Sequence, residues 1–304
     1  SMDGKPAFIV DLNNWVEGTK FRGLKAFKLH NGVVYDPTRS RDHLSYQLAR
    51  AAGLMGPRTG WAEVYCNGVY YGLYILVERH DDEFIEYHRP GQQDLGTVLE
   101  PLGDFGMGLV SAWDVEEGPD PADPLAMASL LEADQIIDAG PSDARVAQFW
   151  DVFEKEHFLS YLAWETLIMH TDGYRAPNNW RVFVDGVTYK IDLVPSGAEW
   201  TWDYEVEPWY FDGSAAKFCL QDAGCKREYA ERVLELADLV EALDLYTQFE
   251  DQQAWLDPYI RSDPRYVSPW DTVPRARRNT STRLQENPGR ARQAIYAEYP
   301  DLGP

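Results

Sequence analysis

A single stretch, HTDGYRAPNNW, places an acid and two amides at a spacing that could support phosphoryl transfer. Asp172 follows an apolar segment typical of a helix, and Asn178 and Asn179 come six and seven positions later, just before a segment typical of a strand. Phosphoryl transfer needs an acid that orients the proton of the attacking hydroxyl and an oxygen ligand for a nearby metal ion. The kinase spacing is about five positions, so this spacing is one or two residues longer. The alternative is structural: Asp172 caps a turn, and the asparagines satisfy carbonyl groups of the loop.

The first part of the chain predicts a small sheet with one helix against it. Residues 5–34 alternate apolar and polar positions in short bursts bounded by Gly and Asn, which indicates strands. Apolar residues then recur at helical spacing over 41–52. The Asn67-Gly68 pair lies between two β-rich segments and predicts a hairpin, because both residues tolerate positive φ. An apolar burst at 96–102 ends this β-rich part, which we assign to residues 1–102.

Residues 103–304 predict a mostly helical second part. Residues 103–125 are rich in Gly, Pro and acidic side chains, which is typical of a loop or linker. One strand pair, 180–194, follows the Asp172 loop, and helices are predicted at 125–138, 147–169, 225–255 and near 282–298. The predicted fold class is therefore α+β.

The composition limits the partners. Of the 304 residues, 28 are Lys or Arg and 50 are Asp or Glu, which gives a net charge of −22. Such a charge repels phosphate backbones and anionic membrane surfaces, so we expect no nucleic acid and favour basic protein segments as partners. The alternative is that the charge serves solubility alone. No apolar run approaches the roughly 20 residues of a membrane helix, so we expect no membrane span.

The three cysteines predict one short disulfide. Cys219 and Cys225 lie six positions apart, a spacing that could close a small loop just before a helix. Cys66 would then be a buried free thiol. The alternative that all three are reduced core residues stays open.

Several motifs in the same order resemble the spore coat protein H (CotH) kinase family. HTDGYRAPNNWRVF is similar to the family's His-x-Asp-x-Tyr and Asn-Asn-aromatic motif, and YCNGVYYGLYILVE to its Asn-Gly hairpin. NGVVYDPTRSRDHLSYQLARAAG is similar to its Asp-Pro-Ser segment that leads into a helix. The remaining similarities are KPAFIVDL and FRGLKAFKL, which fit the opening strands, and CLQDAGCKREY, which resembles a paired-cysteine element of some secreted members. Together they extend from about residue 5 to about residue 230.

The resemblance implies a two-lobed, protein-kinase-like fold. A β-rich lobe would cover the nucleotide, and a mostly helical lobe would carry the catalytic residues. The implied activity is that of a secreted or surface-associated atypical kinase that binds ATP with Mg²⁺ or Mn²⁺ and phosphorylates Ser or Thr of a partner protein. Ser1-Met2 is typical of a scar left by protease cleavage of an expression tag, so we expect that a signal peptide has been removed.

The resemblance also implies roles for individual residues. Asp172 would be the catalytic base, and Asn178 or Asn179 a metal ligand. There are three cofactor-binding candidates. Lys5 is the first choice for a lysine that pairs with phosphate, and Lys28 is the second choice. Glu78 would lie near the hinge between the lobes. Either lysine could instead be a solvated charge at a strand edge.

One departure from the family pattern concerns the metal. After the Asn-Asn strand the family shows Pro-Trp-Asp-x-Asp, whereas this chain has VPSGAEWTW, with Gly197 at the first acidic position and Glu199 at the second. Glutamate is one methylene longer but is still an oxygen ligand, so Glu199 would hold Mg²⁺ or Mn²⁺ with altered geometry. Asp192, upstream, is a weaker substitute. Alternatively the departure marks lost catalysis, and the chain is a silent pseudokinase that acts as a binding or assembly protein at a cell or spore surface.

Asp104-Phe105-Gly106 spells the kinase metal-binding tripeptide but does not fit that role. Kinase order places this tripeptide after the catalytic loop, whereas here it precedes Asp172. It also lies in the Gly-rich stretch, so we interpret it as structural.

Overall fold

The computed structural model describes residues 4–32, 35–119, 123–266 and 272–304. Ser1-Met2, the end of the predicted strand region at 33–34 and part of the predicted linker at 120–122 lie outside the described residues. Over those residues the fold is a mixture of helices and two antiparallel four-stranded sheets.

The first sheet has the strand order β1-β2-β4-β3. Its strands are β1 (Phe8–Asp11), β2 (Ala26–His30), β3 (Thr59–Cys66) and β4 (Val69–Glu78). The predicted hairpin between β3 and β4 is confirmed, since Asn67 and Gly68 have φ values of 50° and 80°.

Helix α1 (Arg41–Ala51) follows this sheet's second strand and contacts β3. It begins where the buried carboxylate of Asp36 accepts hydrogen bonds from the backbone N–H groups of Thr38 and Arg41. On the other side of α1, Ser45 accepts hydrogen bonds from two tryptophan side chains of the second half of the chain. Trp164 donates to the Ser45 carbonyl at 2.7 Å and Trp202 to its Oγ at 3.0 Å. These bonds fix α1 to the part of the chain that carries Asp172.

The second sheet has the order β6-β5-β7-β8. Its strands are β5 (Thr97–Glu100), β6 (Asp114–Glu117), β7 (Trp180–Val184) and β8 (Ile191–Pro195). Strand β5 therefore pairs with strands that follow residue 102, and the sheets divide after β4. The stretch predicted as a linker contributes β6 and a 3₁₀ helix, Val110–Ala112, and buries Phe105 and Trp113. A short helix that the sequence did not indicate, α2 (Asp82–His88), joins the two sheets.

The helices of the second part are more numerous than predicted, because two of the predicted helices are interrupted. The predicted helix 147–169 is interrupted because Phe153 is extended and bridges to Ile191. The predicted helix 225–255 is interrupted at Asp244, which is left-handed and caps the next helix. The observed helices are α3 (Pro124–Asp138), α4 (Asp143–Val152), α5 (Lys155–Ile168), α6 (Ser214–Gln221), α7 (Ala223–Ala242), α8 (Leu245–Ser262), α9 (Thr272–Glu298) and a 3₁₀ helix, Pro300–Leu302.

Helix α5 is the centre of this helical part. Every residue from 158 to 168 is buried, and α5 contacts α1, α7, α9 and β8. A helix that is buried on all sides lies inside the core. Its C-terminal end is therefore held rigidly, and that end leads into the Asp172 loop.

The cysteine prediction is confirmed in its main part. Cys219 and Cys225 form a disulfide that links α6 to α7. Cys66 is free, but the prediction that it is buried was wrong, because it lies exposed at the end of β3. Within the described ranges, the helices are all too short or too polar to cross a membrane.

Candidate functional site

The loop that carries Asp172 is organised by a buried carboxylate. Glu165 of α5 accepts from the backbone N–H groups of Tyr174 and Arg175, at 3.2 and 3.1 Å. It also contacts His170 Nδ1 at 2.9 Å, and His170 Nε2 lies 2.9 Å from the Gly197 carbonyl. Burial lowers the pKa of His170, but the Glu165 carboxylate outweighs it, so that pKa is raised overall. The His170 ring thus lies between two oxygen atoms and joins the loop to the segment after β8.

Asp172 is oriented by both asparagines. Its Oδ1 accepts from the Asn178 side-chain amide at 2.7 Å and its Oδ2 from the Asn179 amide at 2.8 Å. The backbone N–H of Asn179 also donates to the Asp172 carbonyl, at 2.9 Å. The three candidates of the HTDGYRAPNNW stretch thus form one cluster. Each asparagine keeps its carbonyl oxygen as a possible ligand.

A cavity of about 180 Å³ lies between the first sheet, α1 and the end of the second sheet. Four residues predicted for the site, Lys28, Glu78, Asn179 and Glu199, line it together. The other lining residues are His30, Asp42, Tyr46, Val77, His80, Arg181, Ser196 and Gly197.

Gly197 is required by its surroundings. Its φ is 61°, a left-handed value that glycine adopts without strain. A Cβ at this position would lie 2.6 Å from the Cβ of Asn179. Glycine, in place of the family's acid, therefore allows the segment after β8 to lie close to the Asp172 loop.

Of the two lysine candidates, only Lys28 reaches the cavity. Its Nζ lies 3.8 Å from Glu116 Oε1, and Glu116 Oε2 accepts from Arg181 Nε at 2.5 Å. Glu116 therefore holds a lysine of the first sheet and an arginine of the second. The sequence did not indicate either residue, because Glu116 lies in the stretch predicted as a linker and Arg181 in a predicted strand, after the Asn-Asn-aromatic motif.

Lys5 is held in a buried ion pair outside the cavity. Its buried ammonium donates to Asp263 Oδ2 and to the Leu73 carbonyl, both at 2.5 Å, and lies 4.5 Å from the centre of the Tyr74 ring. Burial lowers the pKa of Lys5 to about 8. Lys5 does not line the cavity, and it ties the first sheet to the segment after α8.

Glu78 ends β4 at the wall of the cavity, next to the connection between the sheets. Its buried carboxylate pairs with the Arg58 guanidinium and accepts from the Arg58 backbone N–H at 2.8 Å. Glu78 therefore fixes the start of β3 to the end of β4.

Glu199 lies beside two residues that the sequence did not indicate. His30 Nε2 is 3.6 Å from Glu199 Oε1, and His30 Nδ1 is 3.2 Å from Asp42 Oδ2. Burial and the Asp42 charge raise the pKa of Glu199. Burial lowers the pKa of His30, but the two carboxylates outweigh it and raise that pKa to about 9. No spacing rule relates residues 30, 42 and 199, because they come from β2, α1 and the segment after β8.

The other two acids considered from the sequence are occupied by structural partners. Asp192 on β8 pairs with Arg89 at 2.7 Å and His157 at 2.9 Å. Asp104 accepts from the Tyr174 hydroxyl at 3.0 Å and the Ser214 backbone N–H at 2.6 Å. Asp104 thus anchors the start of α6, in line with its interpretation as structural.

Comparison with known proteins identifies the family. Residues 5–266 match the family described as CotH kinase protein. The chain belongs to the CotH kinase family. The match confirms the resemblance carried by the motifs and extends it through α8.

A curated relative of this CotH-family chain is Invasin CotH2 of Rhizopus delemar. The two are 27% identical over 169 residues, which cover 49% of this chain and 27% of the relative. The chain thus spans about a quarter of the length of that protein.

Proposed function

We propose that this CotH-family chain is an atypical protein kinase that transfers the γ-phosphoryl group of ATP to a Ser or Thr hydroxyl of a partner protein. The observation that carries the proposal is the orientation of Asp172 by Asn178 and Asn179, with Asn179 in the wall of the cavity. Phosphoryl transfer depends on positioning the acceptor hydroxyl and the phosphate, and an acid next to a cavity with a lysine in its wall can position both.

Asp172 acts as the base. The acceptor hydroxyl oxygen attacks the γ-phosphorus, the bond from that phosphorus to the β–γ bridging oxygen breaks, and Asp172 takes the hydroxyl proton. The two amide donors fix both carboxylate oxygens, so Asp172 meets the hydroxyl in one orientation. The His170 contacts with Glu165 and the Gly197 carbonyl hold the loop in place around it.

Lys28, rather than Lys5, pairs with phosphate in this proposal. Lys28 lines the cavity, while the Lys5 ammonium is held by Asp263 outside it. Glu116 and Arg181 orient Lys28. The cavity is smaller than the roughly 300–1,000 Å³ of typical ligand pockets, so it suits phosphate groups rather than a whole nucleotide.

A divalent ion fits the residues present. Glu199 Oε2 is buried and has no hydrogen-bond partner within the part of the chain that the structure describes. Glu199 and the carbonyl oxygens of Asn178 and Asn179 would hold Mg²⁺ or Mn²⁺, as the sequence pattern predicts. The ion would neutralise charge on the transferred phosphoryl group.

The proposal includes a two-lobed fold and a location outside the cytoplasm. The first sheet with α1 would be the nucleotide-covering lobe, and the second sheet with the helices would be the catalytic lobe. The Cys219–Cys225 disulfide and the word "Invasin" in the name of the fungal relative support a secreted or surface protein. The net charge of −22 favours a basic, Ser- or Thr-rich protein substrate.

The test is radiolabelled phosphate transfer to a basic, Ser-rich protein or to the chain itself. We expect incorporation with Mg²⁺ or Mn²⁺, and a fall of about 10²–10⁴-fold for Asp172→Asn with ATP binding retained. The matched control is Asp151→Asn, the same change at an exposed position of α4, which should leave the rate unchanged. If no metal and no acceptor gives incorporation, the alternative of a silent binding protein replaces the enzyme.

A further inference from the structure

Three side chains from distant parts of the chain meet at one edge of the cavity. His30 ends β2, Asp42 lies in the first turn of α1, and Glu199 follows β8. One possible ligand atom from each lies within 4.8 Å of the other two. All three also line the cavity, so an ion can reach them from it.

The carboxylates are not fully satisfied by the histidine. His30 offers Nδ1 to Asp42 at 3.2 Å and Nε2 to Glu199 at 3.6 Å, which is longer than a hydrogen bond. Glu199 Oε2 remains buried and unpartnered among the described residues, and the Asp42 side chain is 1% exposed. A buried acceptor without a donor is destabilising, and more so when it is charged, so a bound cation would stabilise this arrangement.

The donor set distinguishes between metals. Mg²⁺ prefers oxygen ligands only, whereas an imidazole nitrogen suits first-row transition ions. One imidazole and two carboxylates therefore favour ions such as Mn²⁺, Co²⁺ or Zn²⁺. The two asparagines direct their amide nitrogens to Asp172, while His30 and Asp42 lie directly beside Glu199.

We propose that His30, Asp42 and Glu199 form a binding site for a divalent transition-metal ion, which binds without nucleotide and in preference to Mg²⁺. The site shares Glu199 with the proposed kinase function but requires no phosphate transfer. The ion would link β2, α1 and the segment after β8 across the cavity edge.

The test uses Co²⁺ as a spectroscopic probe on the full chain without ATP. We expect calorimetry to show one Co²⁺ site per chain and the visible spectrum to show an absorption band from the bound ion. The binding and the band should both persist in excess Mg²⁺. His30→Gln and Asp42→Asn should each weaken Co²⁺ binding by at least about 10-fold, the loss typical even of residues that only support a metal ligand. Glu199→Gln is the third variant, and circular dichroism shows whether each variant is folded.

The matched control is His157→Gln. His157 also contacts a buried carboxylate, that of Asp192, but Arg89 already pairs with that carboxylate. Co²⁺ binding by this variant should equal that of the wild type. Equal Co²⁺ binding by the wild type and a folded His30→Gln variant, or displacement of Co²⁺ by an equal amount of Mg²⁺, would overturn the proposal.

The outcomes separate this site from the kinase function. Co²⁺ binding that depends on His30, without any ATP-dependent phosphorylation, supports the site and contradicts the function. If the chain transfers phosphate with Mg²⁺ but its Co²⁺ binding does not depend on His30 and Asp42, the result supports the function and contradicts the site.

Discussion

The Asp172 loop and the Glu199 edge of the cavity are built in different ways. The loop is one continuous stretch between α5 and β7, and both of its asparagine amides donate hydrogen bonds to its acid. The Glu199 edge combines side chains from three elements that are far apart in sequence. The loop keeps the family pattern, whereas the edge departs from it at Gly197 and Glu199.

This difference separates two kinds of functional requirement. A base has to be aimed at one hydroxyl, and short-range hydrogen bonds within a loop can do that. A metal site has to surround an ion, so its ligands come from several elements. In the proposed metal site, a substitution at Glu199 would be accommodated by His30 and Asp42, which lie beside it on other elements.

The two candidate lysines give the largest expected contrast. Lys28→Ala should lower phosphate transfer by about 10²–10³-fold, because it removes one charged donor at the transferred group. Its effect on the free energy of unfolding should stay below about 1 kcal/mol, since the side chain is 34% exposed and 3.8 Å from Glu116.

Lys5→Met should give the opposite result. It leaves the buried carboxylate of Asp263 without its cation, which costs about 3–5 kcal/mol of unfolding free energy. The transfer rate per folded molecule should change little. Urea unfolding and initial transfer rates are measured on both lysine variants. If Lys5→Met lowers the rate and Lys28→Ala does not, the phosphate-pairing role belongs to Lys5.

Gly197→Ala tests the contact between the two regions. The added Cβ would lie 2.6 Å from the Cβ of Asn179, at a left-handed φ of 61°. We expect a loss of about 1–3 kcal/mol in unfolding free energy and a lower transfer rate, because Asn179 has to move away from Asp172. Gly140→Ala is the control, since Gly140 also has a positive φ, 72°, but no atom within 4 Å of its Cβ position. Equal rates for the two variants would disprove the coupling.

The smallest effect is a pH dependence of stability from His30. Its folded-state pKa is raised to about 9 from 6.5, so its stabilising contribution is present below pH 6.5 and is lost as the pH rises through 9. We expect the unfolding free energy of the wild type to fall by about 1–2 kcal/mol more than that of His30→Gln between pH 6.5 and 9, after allowance for partial exposure. Metal-free urea denaturation at a series of pH values measures this, and parallel curves would exclude the ion pair.

The sequence predicted what lies close together along the chain. The Asn67-Gly68 hairpin, α1 and the Cys219–Cys225 disulfide follow from local spacing and turn chemistry. The interruptions at Phe153 and Asp244 were missed because a tertiary bridge and a left-handed cap override helical periodicity there. The pairing of β5 with β7 could not be deduced either, because residues about 85 positions apart form it.

The candidate site divides in the same way. Asp172, Asn178 and Asn179 were found because one motif contains them. The partners of Glu199 and Lys28 lie on other elements. Only the fold brings His30, Asp42 and Arg181 to the cavity and Glu116 beside Lys28. The sequence suggested Lys5 as the first choice for a phosphate-pairing lysine, and its burial against Asp263 depends on the position of the segment after α8.

A crystal structure with a non-hydrolysable ATP analogue and Mn²⁺ tests the central claim most directly. The account predicts phosphate groups inside the cavity, with the γ-phosphate between Lys28 and Asp172 and the metal bound to Glu199. Phosphate groups outside this cavity, or a nucleotide whose γ-phosphate lies away from Asp172, would contradict it.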